Sequence, residues 1–180
     1  MTIAEKFFGF ELNVTWNYGA RLKRRQGKKR DIEICKRNLL NIREILNGED
    51  IVFWLMYGTL LGAVRDNSFI EHDTDDDIGF FYESKNNFDI VISKLIDIGF
   101  RLCRMSYNDS LVSVIRDDEY TDLCFFRRNN LPFSEFKTIN FIGVDFKIPL
   151  NAEKLLTDWY GDWKTPVKDK HATIVYGLDL

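Results

Sequence analysis

Five carboxylates stand within seven residues, at Glu71, Asp73, Asp75, Asp76 and Asp77. Like charges held that close either raise a pKa or recruit a cation. Clustered carboxylate oxygens suit Mg2+, Mn2+ or Ca2+ rather than zinc. If residues 75–81 run as a strand, alternation sets Asp73, Asp75 and Asp77 on one face and Asp76 and Ile78 on the other. The spelling Asp-x-Asp-x-Asp also opens an EF-hand loop, which needs Gly at its sixth place and Glu at its twelfth. This chain has Ile78 and Ser84 there, which excludes that loop. A solvated acidic turn is the remaining alternative to a metal site.

The flanking elements favour a site. Residues 51–57 form a continuous apolar run of strand length that ends at Gly58 and Thr59. Residues 60–65 then have helical character, which places Gly58 and the Thr59 hydroxyl at a helix N-terminus, a natural receptor for phosphate. Arg65, about two turns further on, is expected to pair with phosphate or with the acidic cluster.

The order of a strand, a Gly-Thr turn, a short helix and an Asp-x-Asp strand resembles the arrangement of the nucleotidyltransferase superfamily. The stretch Tyr57-Gly58-Thr59-Leu60-Leu61-Gly62-Ala63-Val64-Arg65 closely resembles the signature of the LicD and fukutin-related family of phosphotransferases. Residues 69–80 resemble that family's acidic motif, with Glu71-His72 where many relatives carry Pro-Trp. Pro149, Asn151, Leu155 and Tyr160-Gly161-Asp162-Trp163 resemble its closing motif. The three blocks in order cover residues 50–166. The resemblance implies a third carboxylate on a later strand. Asp122 sits at the matching place, in an apolar run where an unpartnered acid would be costly to bury. Asp145 is the weaker candidate and reads as a hairpin or turn acid.

Further expectations follow from the resemblance. The fold is α+β (mixed α/β), a nucleotidyltransferase-like central mixed sheet flanked by helices. Asp75 and Asp77 hold the principal Mg2+ or Mn2+, Asp73 adds a ligand, and Asp122 completes the shell or serves as general base. Gly58, Thr59, Arg65 and Lys164 bind substrate, with Trp163, Lys168 and His171 near the pocket. The donor is a CDP-alcohol such as CDP-choline or CDP-ribitol, the acceptor a glycan or glycolipid hydroxyl, and CMP the product. The alternatives are nucleotidyl transfer from a nucleoside triphosphate and a non-catalytic nucleotide-binding module.

Composition sets the frame. A chain of 180 residues, 45% hydrophobic and 14% aromatic, accommodates one core of ordinary size. Residues 1–30 read as a partly peripheral basic extension and 31–180 as a single catalytic domain. Arg21, Lys23, Arg24, Arg25, Lys28, Lys29 and Arg30 stand together with no acid, so the remainder carries 18 basic against 28 acidic residues. That block is a solvated lead-in or a contact for an anionic membrane surface, whereas the acidic remainder argues against nucleic acid. Cys35, Cys103 and Cys124 lack metal-ligand spacing and read as reduced thiols. With no apolar run of about 20 residues and no leader pattern, a cytoplasmic location is expected, peripheral to the inner face of the membrane if residues 21–30 engage it.

Apolar positions at Ile32, Cys35, Leu39, Ile42 and Leu46 predict a helix stopping at Asn47-Gly48. Phe88, Val91, Ile92, Leu95 and Ile96 predict another, ended by Gly99. Residues 100–105, 111–116, 120–126 and 138–148 read as strands, and 153–160 as a short helix.

Overall fold

The computed structural model describes residues 29–105 and 111–167. Residues 21–28 of the basic block, Lys168 and His171 lie outside them. Helix α1 spans Ile32–Gly48 and opens on Asp31, whose carboxylate accepts the N–H groups of Glu33 and Ile34. Strand β1 (Phe53–Leu55) leads into α2 (Tyr57–Arg65), and β2 (Asp75–Phe81) returns antiparallel to β1. A 3-10 turn and α3 (Phe88–Asp97) carry the chain to β3 (Arg101–Met105), β4 (Leu111–Arg116) and β5 (Glu119–Phe126). These three form an antiparallel meander, and β5 inserts parallel beside β2. The mixed sheet therefore runs β1-β2-β5-β4-β3. A second hairpin, β6 (Phe136–Phe141) with β7 (Val144–Pro149), precedes α4 (Ala152–Tyr160).

Alternation divides the sheet into two chemically different faces. Ile78, Phe80, Leu123 and Phe125 point to the side covered by α1 and α3, where the Phe88 ring stands 5.2 Å from Phe80 and 4.7 Å from Phe125. Asp75, Asp77, Asp122 and Ser113 share the opposite face. There the indole of Trp54 lies 4.9 Å from Phe81 and 5.1 Å from Phe136. A Cβ at Gly79 would collide with that indole, so the glycine is a packing requirement.

The apolar run 51–57 is not one strand, because Tyr57 adopts φ 44° and is already the first residue of α2. Left-handed backbone is strained for an aromatic residue. It persists here beneath contacts to Trp159 at 5.4 Å and Phe126 at 6.3 Å. Likewise the run 138–148 is a hairpin that turns at Ile142 and Gly143, both at positive φ, and Asp145 lies exposed on β7 opposite Asn140.

Arg30, the last residue of the basic block, is buried. It is 6% exposed, against Asp76 at 1%. Its guanidinium pairs with Asp76 on the helix-covered face of β2, gives Nε to Cys35 Sγ at 3.0 Å and lies 3.8 Å from Glu119. Burial by itself would lower the Arg30 pKa, but Asp76, with Cys35 and Asp73, holds it above the ordinary value. Burial, with Asp76 adding to it, pushes the Cys35 thiol up to about 12. None of the three cysteines forms a disulfide. Among the described residues no helix is long and apolar enough to cross a membrane.

Candidate metal centre

The centre forms where two non-consecutive strands run side by side. Parallel pairing sets Asp77 directly opposite Asp122, with Asp75 one alternation earlier on the same face. One carboxylate oxygen from each of Asp75, Asp77 and Asp122 lies within 4.8 Å of the other two. Ligand oxygens around one Mg2+ stand up to about 4.2 Å apart, twice the usual bond length, and slightly further around Ca2+. Small side-chain rotations therefore complete a three-oxygen set for a hard divalent cation, and the residues fit such an ion.

Helix α2 buttresses the acidic strand from one end. Thr59 Oγ1 accepts the Asp77 N–H at 2.7 Å, and the Met56 N–H donates to the Asp77 carbonyl at 3.1 Å. The Thr59 hydroxyl, expected to receive phosphate, is buried and holds β2 in place. Gly58 stands against the Asp73 carboxylate, which a Cβ would strike. Asp73 itself precedes the strand, in a turn closed by its N–H to the Ile70 carbonyl, with Oδ1 accepting from the Thr74 N–H. The strand begins only at Asp75, so the expected alternation covers Asp75 and Asp77 but not Asp73.

Gly58→Ala tests this close approach. Alanine is the better helix former, so the thermal midpoint should change by only a few degrees. The displaced Asp73 should nevertheless weaken Mn2+ binding, which a calorimetric titration reads directly. Unchanged metal affinity would detach Asp73 from the centre.

Asp122 is held from two sides. Ser113 Oγ donates to its Oδ1 at 2.5 Å and Arg104 Nη2 to its Oδ2 at 2.8 Å. Asp77, Asp122, Ser113 and Arg104 thus form one row across β2, β5, β4 and β3. Sequence reading missed both Ser113 and Arg104. Tyr160, at the end of α4, was seen only as part of a motif. Burial, with Asp77 and Asp73 adding to it, raises its pKa and keeps the phenol protonated beside the acids.

Two expected substrate-binding residues are engaged elsewhere. Arg65 makes short bonds to neighbouring Asp66, 2.7 Å at the closest, and reaches the Trp163 carbonyl at 3.5 Å. Lys164 is exposed, with its ammonium 5.5 Å from the Trp163 ring centroid. The structure brings neither to the carboxylate trio.

A mixed sheet carrying this trio beside the N-terminus of a short helix defines a domain of the nucleotidyltransferase class. The description "LicD/FKTN/FKRP, nucleotidyltransferase domain" matches residues 50–151, more than half of the chain, and the chain belongs to that family. An uncharacterized protein of Rickettsia typhi is 26% identical over 190 residues, covering 93% of this chain and 58% of the relative. One of Rickettsia prowazekii is 24% identical over 192 residues, covering 93% of this chain and 69% of the relative. The chain thus spans little more than half the length of the first. The solution structure of the antibiotic-resistance factor ANT(2'')-Ia shares the fold, with a TM-score of 0.51 at 12% identity over 66% of each chain. The family match supports an enzyme of the transferase type.

Proposed function

We propose that this domain is a divalent-cation-dependent phosphotransferase that moves a phospho-alcohol from a CDP-alcohol to a glycan hydroxyl, releasing CMP. The observation that carries this reading is the convergence of Asp75, Asp77 and Asp122 in a domain of this family. Phosphoryl transfer asks a protein chiefly for positioning and charge neutralisation. Asp75, Asp77 and Asp122 would hold Mg2+ or Mn2+, which when bound supplies Lewis-acid stabilisation of the transferring group. Asp73 adds negative charge at the edge of that set. Helix α2 opens at Tyr57 and Gly58, with Gly58 beside the Asp73 carboxylate, and a helix N-terminus suits an anionic donor. Tyr160 offers a protonated phenol beside Asp73 and Asp77. The reading includes a contact between the basic residues 21–30 and an anionic membrane surface, which rests on their charge alone.

Calorimetric titration with CDP-choline, CDP-ribitol, CDP-glycerol, CTP and ATP, each with Mg2+ and with chelator, tests the reading. One CDP-alcohol is expected to bind only with the cation, and turnover with a glycan acceptor should yield CMP. Preference for a triphosphate with pyrophosphate release would move the assignment to nucleotidyl transfer. Binding of none would make the domain a non-catalytic module.

A further inference from the structure

Arg104 reaches the site face only because β3 is irregular. Arg101 and Leu102 oppose Ile115 and Val114, but the register then passes over Cys103 and sets Arg104 opposite Ser113. In an unbroken ladder Cys103 would take that place, and Arg104 would oppose Val112, which neighbours Leu123 on the apolar side. Bulges of this kind re-aim a side chain and gather near active sites. The bulge delivers a guanidinium to one of the three carboxylates proposed to hold a cation.

That placement has two opposed electrostatic consequences. A guanidinium 2.8 Å from Asp122 competes with any metal ion for the same carboxylate. It also lies beside the proposed cation site, and its fork of donors fits phosphate as well as carboxylate. The Arg104 side chain is 12% exposed and springs from the edge strand of the sheet.

We propose that Arg104 is a phosphate-binding residue, held against Asp122 in the donor-free domain and transferred to the donor diphosphate once a divalent cation takes its share of that carboxylate. The inference rests on the metal-dependent reading above and adds to it a charge that changes partner. Before the cation binds, Arg104 offsets part of the repulsion among the acids. Afterwards it helps hold the donor.

Arg104→Met keeps the apolar stem and removes the fork. Mn2+ titration without nucleotide should show about tenfold tighter binding than wild type, because the competing cation is gone. Titration with CDP at saturating Mn2+ should show about tenfold weaker binding, the scale of one hydrogen bond to a charged group. Arg104→Lys, which keeps the charge without the fork, should leave Mn2+ affinity near wild type and give CDP an intermediate affinity. Ser113→Ala loosens Asp122 without changing charge, and should weaken Mn2+ while leaving CDP at saturating Mn2+ unaffected. Opposite shifts from Arg104→Met support the exchange of partners. Loss of both affinities together, or no change in either while wild type binds both, would overturn it and leave the metal centre standing. If wild type binds no Mn2+, the metal centre falls and the inference with it.

Discussion

Asp77→Asn should bind Mn2+ at least tenfold more weakly and lose on the order of a thousandfold in turnover, since Lewis-acid stabilisation of a phosphoryl group is worth several kcal/mol. Its thermal midpoint should hold or rise. The two results come from different parts of the residue. The main chain of Asp77 is tied into the fold by Thr59 and Met56, and asparagine leaves both bonds intact. Its side chain contributes one of three converging negative charges, and neutralising one relieves repulsion. Asp122 keeps Ser113 and Arg104 in either case. Titration calorimetry and a melting curve on the same preparation separate the effects. Undiminished Mn2+ affinity in Asp77→Asn would remove the metal centre from this face of the sheet.

Arg30→Met should destabilise the domain by about 3–5 kcal/mol, the usual cost of breaking a buried ion pair by removing one partner. For a domain of this size that is roughly 6–20 °C in the thermal midpoint. The loss comes from Asp76, which stays 1% exposed without the guanidinium that now faces it. Adding Asp76→Asn should recover much of the difference, because well-filled uncharged replacements of buried pairs are commonly near neutral. Asp76 lies between two proposed ligands, so Arg30→Met should also blur the metal titration. A change of under about 1 kcal/mol in Arg30→Met would show that Asp76 is accommodated some other way.

What was legible in the sequence was whatever depends on short periods. Alternation along 75–81 separated Asp75 and Asp77 from Asp76, because a strand paired on both sides keeps its period of two. Helical spacing located α1, α3 and α4 to within a few residues. Asp122 needed the resemblance as well, since its value lies in the parallel register with β2, which no local pattern encodes. Arg104 was hidden by the bulge, for regular alternation through 101–105 sends it to the wrong face. Arg30 was hidden by its neighbours: a run of cations reads as solvated, and only the three-dimensional position of Asp76 shows that Arg30 is buried. Thr59 was read for the chemistry of its hydroxyl, and the fold adds a structural use for it as the acceptor of the Asp77 N–H. Arg65 sits next to an acid that satisfies it, and adjacency in sequence was the overlooked signal.

The meander also has a consequence for the order in which the domain folds. Arg104, Ser113 and Asp122 belong to three successive antiparallel strands, so their contacts close over short stretches of chain. Asp75 and Asp77 join them only through a pairing that spans most of the distance from β2 to β5, and long closures come late and slowly. Pulse-labelled hydrogen exchange during refolding is therefore expected to protect β4 and β5 before β2. The repulsive encounter of the acids is left to the final step of assembly, when one of them already has its guanidinium.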